Sequence, residues 1–155
     1  MVELRQAEWL RALKVYLGVV AGGNLVWEGV QLPLYTIWTS GTVGGRAFAA
    51  LHCTGGDILI GVAALIGALL VVGAREWPAV GFWRVAVLTI TLGVAYTGFS
   101  EWLNVSIRQS WAYSEWMPTL ALGPLRIGIS PLAQWIVVPV LGFWAVRRSC
   151  RAAAG

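Results

Sequence analysis

Four apolar runs, at roughly residues 14–38, 47–73, 82–104 and 127–146, dominate the chain and constrain its fold more than any other feature. Each can cross a hydrocarbon core of about 30 Å at a helical rise of about 1.5 Å per residue. The expectation is an all-α fold, an integral membrane four-helix bundle built as a single transmembrane domain over residues 1–155. Composition agrees, because only 12% of the residues are charged, where a soluble domain carries about a quarter.

The breaks between runs give the topology. Arg75, Glu76, Trp77 and Pro78 make a short turn between the second and third spans. Residues 105–126 hold Arg108, Glu115, Pro118, Pro124 and Arg126 and read as the one long loop. Its Trp111, Tyr113 and Trp116 suit a lid at the membrane interface, where amphipathic rings settle. With both termini inside, the inner side carries Arg5, Arg11, Lys14, Arg75, Arg84, Arg147, Arg148 and Arg151. The outer side then carries Arg46, Arg108 and Arg126, an imbalance that favours cytoplasmic termini.

The net charge of +4 is spread over segment ends rather than gathered in one patch, which argues against nucleic acid as a partner. Arginine outnumbers lysine ten to one beside an Ala/Gly/Val bias, which suggests a GC-rich bacterium and hence a multi-pass protein of the cytoplasmic membrane. No small-residue cleavage site follows a short hydrophobic region, so the first run reads as an uncleaved span. Cys53 and Cys150 fall on opposite sides of the membrane, too far apart for a disulfide, and no CxxC or other zinc spacing is present.

Against this apolar background, Glu28 lies at least ten residues from either end of its run. A carboxylate at that depth costs roughly 2.5–3.5 kcal/mol on insertion scales, so it normally faces a partner or a cavity. Asn24, Glu28, Gln31 and Tyr35 follow a 4-3-4 spacing, which puts them on one helix face. His52, Cys53, Thr54 and Asp57 fall in the outer half of the second span. Thr97, Ser100, Glu101 and Asn104 close the third, and Gln134 and Trp135 begin the fourth. The inner halves are nearly free of polar side chains, so the polar groups converge on one level beneath the aromatic loop.

Chemistry for such a pocket divides by residue type. Glu28 and Glu101 are the candidate general acid and base, or else buried acids that fix helix packing. His52 and Asp57 are the other candidate catalytic groups. They stand five apart and do not share a helix face, so His52 either shuttles protons or caps its segment. Asn24, Gln31, Tyr35, Asn104, Trp111, Tyr113, Gln134 and Trp135 are the candidate ligand-binding residues, the loop aromatics serving otherwise as interfacial anchors. Cys53 with His52, Asp57 and Met117 could make a copper or zinc site, but without a recognised ligand spacing no metal is expected.

The run Leu25-Val26-x-Glu28-Gly29, with Tyr35 six residues after the glycine, resembles the emopamil-binding proteins, which are sterol isomerases. Trp135 followed by Pro139 resembles that family's last core helix, and Glu101 is similar to its acid late in the third span. The wider EXPERA superfamily shares a membrane helical bundle with a polar pocket for sterols or other lipids. The resemblance implies acid/base isomerisation of a polycyclic or isoprenoid lipid, with Glu28 and Glu101 as proton carriers and Trp135 against the cation. Asn24, His52, Asp57 and Gln134 would orient the carriers, and no cofactor would be needed. Asn24 stands where the family has a histidine and Leu132 where it has an asparagine, with Gln134 as a stand-in. With these departures the lipid the resemblance implies need not be a sterol.

Two functions from different classes fit. One is a membrane enzyme that binds a lipid or isoprenoid and isomerises it by proton transfer. The other is a non-catalytic accessory subunit of a membrane complex, or a homo-oligomer, holding lipid or pigment through a surface rich in its 10 tryptophans. A proton or ion path ranks below both, because the inner halves offer no polar route.

Overall fold

The structure, a computed structural model, describes residues 2–72, 76–123 and 125–152. Arg75, Pro124 and the side chain of Arg5 lie outside the described residues. The described residues are all-α apart from one small hairpin. Helix α1 spans Val2–Gln31, α2 Ile37–Ser40, α3 Val43–Val72, α4 Phe82–Glu101 and α5 Ile129–Ala152. Helix α1 packs on α3 and α5, and α4 packs on the same two from the other side.

Among the described residues, three helical segments are long and apolar enough to cross a membrane: Val43–Val72, Phe82–Ile107 and Ile129–Ala152. Helix α1 matches them in length but not in composition. Its first turns are charged, and Asn24, Glu28 and Gln31 interrupt its apolar half.

One stripe of α1 organises the interior. Ala12, Tyr16, Val20, Asn24, Glu28 and Gln31 recur every three to four residues and are all buried. The first three join Leu65 and Ala68 of α3, Val85 and Ala86 of α4, and Val138, Phe143 and Val146 of α5 in the apolar core. Packing there is close. Tyr16 lies against Phe143 with ring centroids 4.7 Å apart, and a Cβ on Gly142 would come within 3.0 Å of the Tyr16 ring. A side chain at position 142 would press on the Tyr16 ring, and glycine leaves room for this close approach.

Two stretches differ from the expected layout. The first run does not continue as helix to residue 38. Helix α1 ends at Gln31, a 3-10 turn follows at Leu32–Leu34 with Pro33 in it, and α2 begins at Ile37. Proline has no N–H for the helical ladder, which accounts for the stop. Residues 105–126 are more ordered than a loop. A π-helical turn, Trp102–Ile107, extends α4, and β1 (Thr119–Leu122) pairs antiparallel with β2 (Leu125–Gly128). Gly123 takes a positive φ of 62° in the tight connection between the strands.

Candidate functional site

The polar end of the α1 stripe meets α3 and α5 at one side chain, Gln134. Its amide nitrogen donates toward Asp57 Oδ2 at 2.9 Å, Asn24 Oδ1 at 3.0 Å and Glu28 Oε1 at 3.1 Å. Its carbonyl accepts from Gln31 Nε2 at 3.2 Å, and the same nitrogen donates to Glu28 Oε1 at 2.7 Å. Ser130 Oγ donates to Gln31 Oε1 at 2.8 Å and accepts from Trp27 Nε1 at 3.2 Å. Gln134 is 1% exposed and Glu28 8%, so the network runs through the interior rather than across a surface.

The donor supply is short. An amide nitrogen carries two hydrogens, and Gln134 has three acceptors around it. The Glu28 and Asp57 carboxyl groups also lie within hydrogen-bonding reach of each other, with the Trp135 indole N–H directed at Asp57. Two carboxylates cannot hydrogen-bond without a hydrogen between them, and among the described residues no basic side chain is a hydrogen-bond partner of either. Such a pair can hold one proton in common. Like charges this close could not both persist in a low dielectric.

A second cluster stands beside the first. Tyr113 Oη donates to Glu101 Oε2 at 2.5 Å and accepts from the Gly128 backbone N–H at 2.8 Å. Burial, and then the adjacent Glu101 carboxylate, hold the Tyr113 phenol above its usual range. Tyr35 lies past the end of α1 yet comes to the same place. It forms a β-bridge to Tyr113, with ring centroids 5.7 Å apart, and its hydroxyl reaches Glu101. The Trp111 indole N–H is directed at Glu101 without closing a hydrogen bond of ordinary geometry. Glu28 acts electrostatically on both Glu101 and Tyr35, and Cys53 feels Glu28, Asp57 and Glu101. The two clusters thus border one region.

Not every candidate joins it. His52 is exposed, with its ring stacked on Phe48 at 5.5 Å. Asn104 donates to the backbone carbonyl and hydroxyl of Ser100 within its own helix. Among the described residues no group of three His, Cys, Asp or Glu side chains could hold a metal ion. Trp27 and Ser130 also belong to the network, although neither stands out in the sequence as a polar group at depth. Ser130 stands four residues before Gln134, the same spacing that marked Glu28 after Asn24, and that spacing was the available signal.

Comparison with protein-family models, with curated proteins and with solved structures gave no match to this chain.

Proposed function

We propose that the chain is a multi-pass membrane protein that binds a lipid or isoprenoid in the outer half of a four-helix bundle and isomerises it by proton transfer. Helix α1 is the fourth span, and both termini lie in the cytoplasm of a bacterial cell. The observation that carries the reading is the meeting of Glu28 and Asp57 on Gln134, which would serve as a proton store, with no basic hydrogen-bond partner among the described residues. The resemblance of residues 25–35 to the emopamil-binding proteins points to the same chemistry.

In this reading the shared proton adds to one carbon of a double bond. Glu101, positioned by Tyr113, takes a proton from the carbon beyond the cationic centre, and exchange with solvent returns a proton to the Glu28–Asp57 pair and frees Glu101. One proton is gained and one is lost, so the double bond moves and no oxidant or reductant is consumed. Trp111, Tyr35 and Trp135 supply π faces for the cationic intermediate.

A second reading rests on a different observation. The carboxyl and amide groups of the Gln134 network find their partners inside the chain, as those of a packing device also would. The chain would then be an accessory subunit whose polar cluster fixes helix register.

Native mass spectrometry from mild detergent, followed by incubation in D2O, separates the two. The enzyme reading expects a lipid-sized adduct on the wild type that Glu28→Gln loses. It also expects deuterium on carbon in that lipid, at a rate at least about 100-fold lower in the variant. A bare chain, or a retained protein partner whatever residue stands at 28, supports the accessory reading instead.

A further inference from the structure

At the opposite end from the acid cluster, a groove of about 570 Å³ runs between the start of α4 and the end of α5. It is lined by Arg84, Arg147 and Arg151, with Phe82 and Trp83 beside them. We infer that this groove binds the phosphate of an anionic phospholipid headgroup.

Three independent features converge there. The first is charge. Among the described residues no acidic side chain lines the groove, whose walls carry Arg84, Arg147 and Arg151. The second is backbone. Helix α4 is 20 residues long, no side chain caps its start, and its first turn has no acidic residue. Its leading N–H groups, which no helical carbonyl can satisfy, sit beside Phe82, Trp83 and Arg84 in the groove wall. The third is the apolar shoulder. Trp83 is 60% exposed, with the Arg147 guanidinium 5.0 Å from its ring centroid, and Val80 beside it is also exposed. A phosphate against the arginines would leave its acyl chains running along Trp83 and the outer face of α4.

A lipid is favoured over a soluble phosphate compound by that shoulder. The assignment also rests on the membrane-spanning reading above, which sets this end at the cytoplasmic leaflet, where basic pockets between helices meet anionic headgroups.

The test uses the full chain in mild detergent, with native mass spectrometry at equal added phosphatidylglycerol and phosphatidylcholine. The wild type is expected to retain phosphatidylglycerol preferentially. Arg151→Gln should lower that preference about fivefold, and Arg84→Gln with Arg147→Gln and Arg151→Gln by well over tenfold. Arg148→Gln changes a guanidinium stacked 4.1 Å from the Trp144 ring centroid and outside the groove, and should leave the preference unchanged. The single Arg151 variant, at the end of α5, keeps the test decisive if the triple variant does not fold. Glu28→Gln should retain the preference, so a failed acid site and a failed groove are told apart. Equal retention of both lipids, or an Arg151 variant identical to wild type, overturns the proposal. Displacement of phosphatidylglycerol by inorganic phosphate at millimolar concentration assigns the groove to soluble phosphates and overturns the lipid.

Discussion

The buried stripe of α1 has two halves that share a helix, a periodicity and a depth of burial, yet hold their neighbours by different physics. Ala12, Tyr16 and Val20 are held by close contact. Val20 lies where a Cβ on Gly61 would approach within 3.0 Å, and Tyr16 presses on Gly142 and Phe143. Asn24, Glu28 and Gln31 are held by directed hydrogen bonds that meet at Gln134. Contact packing is forgiving of chemistry and strict about volume. A hydrogen-bond network reverses this: it tolerates little change of donor or acceptor, because each group left unpaired in a low dielectric costs its full desolvation. The polar half is therefore where this chain places chemistry, and the apolar half is where it places shape.

Substitutions of similar size break that contrast in graded steps. Gln134→Leu comes first. It keeps most of the volume but removes the amide that joins Asn24, Glu28, Asp57 and Gln31. Thermal unfolding in detergent should show a loss of about 3 kcal/mol or more, from several buried groups at once. Loss of under about 0.5 kcal/mol would mean that the network contributes no more than packing does.

Tyr113→Phe comes next, removing one donor to Glu101 and one acceptor for the Gly128 N–H, at a cost of about 1–2 kcal/mol near neutral pH. It should also alter the alkaline limb of the stability profile. The folded-state phenol titrates above its unfolded value, so its stabilisation is complete below about pH 10 and is lost as pH rises beyond it. The variant should lose stability less steeply above about pH 10 than the wild type. Equal slopes would remove Tyr113 from that limb.

Tyr16→Phe is the smallest step and the sharpest control. The Tyr16 hydroxyl is buried without a hydrogen-bond partner, in the half held by contact. Its removal should change stability by about 0–0.5 kcal/mol, in the stabilising direction. A marked loss there would show that the apolar half also depends on a polar contact, and the two halves would no longer differ in kind.

How far these halves could be read from sequence depended on spacing. The 4-3-4 pattern located Asn24, Glu28 and Gln31 on one buried face, because helical periodicity is a property of the chain itself. Tyr35 fits the same pattern for another reason. It lies beyond Pro33, outside the helix, and is brought back by its β-bridge to Tyr113. The hairpin was not legible, because Thr119–Leu122 and Leu125–Gly128 are short, mostly apolar and without polar alternation. His52 looked like part of the cluster by depth alone, and depth does not fix azimuth: five residues from Asp57, it falls on the outer side of α3. Gln134 was visible as one polar residue among several. That it joins three helices depends on pairings that no local pattern encodes.

The measurement that bears most directly on the account is infrared spectroscopy of the detergent-solubilised protein at neutral pH, for the wild type, Glu28→Gln and Asp57→Asn. A hydrogen held between Glu28 and Asp57 predicts a protonated carboxylic C=O band in the wild type that shifts in D2O and is lost or displaced in each variant. A wild type without that band, or a band unchanged in both variants, would contradict the shared proton and with it the catalytic reading of the cluster.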